Sequence, residues 1–183
     1  MSDTSQDKPV TILAISGSLR GNSANTLLLR AAAMMAPSGI VVTPYDGLGT
    51  LPHFNPDLDS DPAPPPVRDL RERVAAAEAL LISSPEYAHG VPGTLKNALD
   101  WLVSGIEIVG KPVGLLNASP RAFHAQDSLR EILRTMAADV LPQASVTIPL
   151  SGRGLDLQAI VADADAMSLL VRALTVLEEA AAR

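Results

Sequence analysis

Ser16, Ser18, Arg20, Ser23 and Asn25 place hydroxyl, guanidinium and amide groups within ten residues near the start of the chain. Hydroxyls donate single hydrogen bonds, and a guanidinium offers paired N–H donors suited to an oxyanion. These residues follow an apolar β-type run over residues 10–15 and lead into a helix-like run over 25–35. The first N–H groups of a helix have no intrahelical partner, and the helix dipole adds partial positive charge there. A phosphate at this junction would meet N–H, hydroxyl and guanidinium donors together, so the spacing predicts an anion site. A Walker A loop requires Lys and then Ser or Thr after its second Gly, whereas Asn22 follows Gly21 here. The G-x-G-x-x-G fingerprint fails as well, with Leu19 and Asn22 in its glycine positions, and no G-x-S-x-G elbow is present. A monophosphate that is held but not transferred fits what remains.

The elements that must position this loop follow from the apolar patterning. Strands are expected over 10–15, 40–45, 79–83, 113–117 and 145–150. Helices are expected over 25–35, 67–77, 93–104, about 127–138, and 157–182. Strict alternation of the two implies a parallel sheet with helices on both faces. The fold class is therefore α/β, a flavodoxin-like three-layer sandwich whose five-stranded parallel sheet runs in the order 2-1-3-4-5. In that order ligands bind at the carboxyl ends of strands 1 and 3, and the loops richest in chemistry follow those strands. Between the second strand and second helix lies a proline-rich excursion over 47–66, either a functional loop or a stiffened surface connection.

Bulk composition narrows the classes. The 183 residues carry 47% hydrophobic and 19% charged side chains, which fits one globular domain over 10–183 with a disordered tail over 1–9. A net charge of −6 argues against nucleic acid as the partner. The chain has no cysteine, so disulfides and thiolate chemistry are excluded. No apolar run is long enough to span a bilayer, and no signal peptide is evident, so no membrane and a cytoplasmic location are expected. His53, His89 and His124 lie far apart in sequence and lack metal-ligand spacing, so no metal is expected.

Two motifs resemble the NADPH-dependent FMN reductases, the flavodoxin-like group that includes quinone, azo-dye and chromate reductases. The first is Gly17-Ser-Leu-Arg20 with Ser23 and Asn25. The second is Pro85-Glu-Tyr-Ala-His-Gly-Val-Pro-Gly-Thr-Leu-Lys-Asn-Ala-Leu-Asp-Trp101. The segment Leu51-Pro-His-Phe-Asn-Pro-Asp57 is similar to the family's loop after strand 2. The resemblance implies that Ser18, Arg20, Ser23 and Asn25 hold the phosphate of FMN, and Ser16 is a further cofactor-binding candidate from the loop's own hydroxyls. It sets Pro85, Glu86 and Tyr87 against the flavin ring, with Ala88, His89 and Gly90 beside them, and makes Ser119 a further flavin contact. Many relatives carry Asn where this chain has Ala88, which removes a side-chain hydrogen bond. No glycine occurs between Gly114 and Gly152, although relatives often place a glycine-rich segment in the loop after strand 4.

Each role has a plainer alternative. Ser23 or Asn25 could simply cap the helix. Tyr87 could be a partly buried core tyrosine, and His89 could belong to the loop surface alone. Lys96, Asp100 and Trp101 read as solvated, packing or subunit-contact residues, and Arg121 as a weak candidate for the phosphate of the nicotinamide cofactor. No catalytic side chain is expected, because a flavin carries the chemistry itself. The implied activity is an FMN-dependent NAD(P)H oxidoreductase, with NADPH or NADH as donor. Its small-molecule electron acceptor would be a quinone, azo compound, free flavin or metal oxyanion. The competing readings are an electron-transfer carrier and a flavin-binding regulatory protein. The resemblance also implies a homodimer or homotetramer, with the 47–66 loop and the helix after Pro92 walling the flavin.

Overall fold

The computed structural model describes residues 8–150 and 156–183; of the expected tail, residues 1–7 lie outside the described residues. The sheet is built from β1 (Val10–Ser16), β2 (Ile40–Pro44), β3 (Ala79–Ser83), β4 (Pro112–Asn117), β5 (Asp139–Val140) and β6 (Val146–Thr147). All pairings are parallel, in the order β2-β1-β3-β4-β5, with β6 also paired to β4. Side chains alternate across a strand, so a central strand buried on both faces needs apolar residues at every position. β1 shows the division: Ile12 and Ala14 enter one core layer, and Leu13 and Ile15 the other. The first layer is closed by α1 (Ala24–Met34), α5 (Leu157–Val161) and α6 (Ala164–Ala181). The second is closed by α2 (Pro65–Ala76), α3 (Gly93–Val103) and α4 (Phe123–Thr135).

The expected order 2-1-3-4-5 is observed, and the elements depart from expectation at three places. The fifth strand, expected over 145–150, is two short pieces either side of a 3-10 turn at Pro142–Ala144. Pro142 offers no N–H to a ladder, so pairing with β4 stops and resumes beyond it. The last helix is interrupted before Asp163, whose carboxylate accepts from the N–H groups of Asp165 and Ala166 and starts α6. α4 begins at Phe123 rather than near 127, which shortens the loop expected over 119–126.

The proline-rich excursion is pinned from inside the fold. Trp101, fully buried on α3, donates its Nε1 proton to Pro52 O at 2.8 Å and meets Phe54 edge-on at 5.0 Å. The Asn97 amide donates to Pro52 O and accepts from Phe54 N. Arg71 on α2 donates to Trp101 O, Ser104 Oγ and Asp59 Oδ1. The Ser104 hydroxyl and then the Arg71 guanidinium hold the Asp59 carboxyl below its ordinary range. Of the alternatives for Trp101, the structure selects packing.

Candidate functional site

The loop after β1 is held by its own hydroxyls. Ser23 caps α1, its Oγ accepting from Thr26 N at 3.1 Å. Thr26 Oγ1 lies 2.8 Å from Ser23 Oγ, 2.9 Å from Ser16 Oγ, and bonds Arg20 O at 3.1 Å. Ser16 Oγ accepts from Ser18 N, and Ser18 Oγ accepts from Arg20 N, each at 3.2 Å. Ser18, Ser23 and Asn25 are buried, whereas Arg20 is exposed. Among the described residues the Arg20 guanidinium has no ion-pair partner, and the N–H groups of Leu19, Gly21, Asn22, Ala24 and Asn25 meet no protein acceptor. A helix N-terminus with free N–H groups beside a free guanidinium is a donor set suited to a phosphate.

Contact between adjacent strands joins this loop to the next. Gly17 N donates to Ser83 O at 2.8 Å, and Ser83 Oγ donates to the buried Asn25 Oδ1 at 2.9 Å. A Cβ on Gly17 would stand 2.9 Å from Ser84 Oγ and 3.1 Å from Leu95 Cδ2, so a larger residue there would have to displace those side chains. Asn25 thus does more than sit in the first helical turn: it ties α1 to the end of β3.

The loop after β3 contains a tight hairpin. Tyr87 N donates to Gly90 O at 3.1 Å and Gly90 N to Tyr87 O at 3.0 Å. The two central residues, Ala88 and His89, have φ of 48° and 59°. Positive φ at both central positions is the type I′ pattern, which favours Asn and Gly. Tyr87 is 58% exposed, so it is not the partly buried core residue of the plainer alternative. Glu86 turns away from the hairpin, and its Oε2 accepts from Ala125 N at 2.9 Å. That carboxylate satisfies an unpaired N–H in the first turn of α4 and places negative charge at the positive helix end. This explains why α4 starts at Phe123 although Ala122, at its N-cap, offers no side-chain bond.

After β4, Asn117 Oδ1 accepts from Ser119 N at 3.0 Å, and Ser119 Oγ accepts from Arg121 N at 3.3 Å. Here the separation of the histidines in sequence misleads. His89 and His124 stack at 4.2 Å between ring centroids, and Phe123 lies 4.0 Å from His124. The hairpin tip and the start of α4 are therefore one surface. The structure brings Ser16, Ser18, Arg20, Ser23 and Asn25 into one loop and helix start, and joins Glu86 and His89 to α4. His53 belongs to neither. Sequence reasoning missed Thr26, Ser83 and Ser84. The Ser23-x-x-Thr26 spacing and the Ser pair before Pro85 were the available signals.

The sequence model of the family described as NADPH-dependent FMN reductase matches residues 10–152. The chain is 35% identical over 174 residues to an NAD(P)H-dependent FMN reductase of Pseudomonas aeruginosa, covering 92% of this chain and 94% of that one. It is 32% identical over 136 residues to a quinone reductase of Escherichia coli K12, covering 71% and 72%. The structure of FerB, a flavoenzyme NAD(P)H:(acceptor) oxidoreductase of Paracoccus denitrificans, superposes with a TM-score of 0.70 at 26% identity, covering 93% and 98%.

Proposed function

We propose, from the premise that this chain belongs to the NADPH-dependent FMN reductase family, that the loop after β1 holds the phosphate of FMN and the loops after β3 and β4 hold its ring. The carrying observation is the free Arg20 guanidinium beside unpaired N–H groups at the start of α1. The residues fit the group: a monophosphate has oxygen acceptors for such donors, and the exposed Leu19, Tyr87 and Phe123 offer carbon surface to a planar ring. The phosphate set is Ser18, Arg20, Ser23 and Asn25, supported by Ser16 and Thr26. The ring set is Pro85, Tyr87, Ala88, His89, Gly90 and Ser119, with Glu86 fixing α4 behind it.

The chain is an NAD(P)H-dependent oxidoreductase, and its cofactor is FMN. FMN held there would supply the redox chemistry that links NAD(P)H to an electron acceptor. The protein's part is to bind, orient and expose. Ser23 and Thr26 set the direction of the α1 N-terminus, Asn25 and Ser83 fix the spacing between loops, and the hairpin leaves an open face. Donor and acceptor would occupy that face in turn. Quinones are the first acceptors to test, with azo compounds, free flavin and metal oxyanions after them. Double-reciprocal plots at several acceptor concentrations should be parallel; an intersecting pattern would refute alternating occupancy. The carrier alternative predicts no reduction of the bound flavin by NADPH or NADH without a partner enzyme.

The same reading extends to a single domain over 10–183 and to a homodimer or homotetramer in the cytoplasm. The exposed Val103, Ile106 and Val109 at the end of α3 support a subunit contact on that side. None of the described helices is long and apolar enough to cross a membrane. A monomeric mass by light scattering would remove the subunit wall from the site.

A further inference from the structure

A cavity of about 270 Å³ opens between α4 and the split edge strand, and of its lining residues only Phe123 also belongs to the surface offered to the flavin ring. Leu115, Val146 and Phe123 supply the apolar side; Gln126, Arg130 and Thr147 supply the polar side. Gln126 is 4% exposed, and its Nε2 has no hydrogen-bond partner. Leaving a buried amide donor unpaired is costly, and proteins rarely do so without a ligand or water to receive it. Arg130 gives Nη1 to Asp127 at 2.9 Å, which leaves the rest of its fork of donors available.

We propose that this cavity binds a small planar aromatic carboxylate, with Gln126 Nε2 and Arg130 donating to the carboxylate and the ring lying among Leu115, Val146 and Phe123. The volume lies just below the roughly 300–1,000 Å³ of sites for drug-sized molecules, which suits one ring and excludes a dinucleotide. A bare phosphate would leave the carbon walls without a partner. A fully apolar ring would leave the Gln126 amide as it is. Asp127 adds selection for charge position, because a carboxylate bound on the wrong side of Arg130 would meet it.

The experiment uses the FMN-loaded protein and benzoate as the probe, followed by calorimetry and by thermal melting. One saturable site with a dissociation constant of millimolar or tighter is expected, and benzamide should bind at least tenfold more weakly. Gln126→Met and Arg130→Gln should each weaken benzoate at least tenfold while the bound-flavin absorbance stays unchanged. Gln126→Met should also raise the melting temperature without ligand by a few degrees, because it removes the unpaired amide. Should that variant fail to fold, the half-exposed Arg130→Gln decides the question alone. No saturable binding, binding indifferent to the variants, or release of FMN by benzoate would each overturn the proposal.

Discussion

After β1 the backbone turns through residues 18–22 with its hydroxyls bonded to one another and with Ser18, Ser23 and Asn25 buried. After β3, on the neighbouring strand, Tyr87, Ala88 and His89 stand exposed on a hairpin whose central residues are both left-handed. One loop is tied down by cross-links among short side chains. The other is tied at its base, by Ser84 to Pro85 and by Glu86 to Ala125, and at its tip, by the stack of His89 on His124. The difference matches the two ends of a flavin mononucleotide. A phosphate is small and charged and needs donors held in fixed places before it arrives. A ring that must admit two successive partners needs a flat surface and an open side.

Removing the charge from the first loop should break that division most. Arg20→Ala deletes charge-assisted hydrogen bonds, each worth about 1.5–3 kcal/mol, so FMN affinity should fall about 10- to 150-fold. Riboflavin, which lacks the phosphate, should bind both proteins alike. Flavin fluorescence titrations of the apoprotein read both numbers. An equal loss for the two flavins would move Arg20 out of the phosphate site.

Thr26→Val tests whether the loop is preorganised rather than merely polar. It keeps the shape and removes the hydroxyl shared by Ser16, Ser23 and Arg20 O. A loss of about 1–2 kcal/mol of folding stability is expected, read by urea denaturation of the apoprotein. FMN should also bind more weakly than the loss of one donor explains. Unchanged stability would mean that the hydroxyl triangle contributes nothing.

Tyr87→Ala examines the other end. The side chain is already exposed, so folding should be little affected. Loss of an aromatic contact worth about 0.5–1.5 kcal/mol should weaken FMN and riboflavin by the same factor, about 2- to 12-fold. An effect on FMN alone would contradict a ring contact.

The fold was legible because its signal is local. An apolar run such as residues 79–83 reads as a doubly buried strand, and alternation with helices implies parallel order. The gathering of Ser16, Ser18, Ser23 and Asn25 after β1 was legible for the same reason, since these residues lie within one strand-to-helix turn. What could not be read depends on sheet neighbours. Glu86 reaches Ala125, and His89 reaches His124, across 39 and 35 positions of sequence. Those meetings exist only because β3 and β4 are adjacent. The start of α4 was misplaced because its first turn is satisfied by a carboxylate from another loop. The fifth strand was misplaced because Pro142 divides the pairing along β4.

The smallest effect has the opposite sign and bears on the hairpin alone. Ala88 holds φ of 48°, where an L side chain crowds the backbone and glycine does not. That conformation costs an alanine about 1–2 kcal/mol, against which glycine loses about 0.5–1 kcal/mol through the greater freedom of the unfolded chain. Ala88→Gly should therefore stabilise the protein by about 0.5–1 kcal/mol, seen as a rise of a few degrees in melting temperature. Ala88→Val should do the reverse, because a β-branched residue fits the left-handed region worst. His89→Gly is not equivalent, since it removes the stack on His124 along with the strain. Phosphate-dependent binding, measured as the ratio of FMN to riboflavin affinity, should be the same in all three variants if the two loops divide the cofactor as described. A change in that ratio on Ala88→Gly would show that the hairpin governs the phosphate loop through Gly17 and Ser84, and that the two regions act as one.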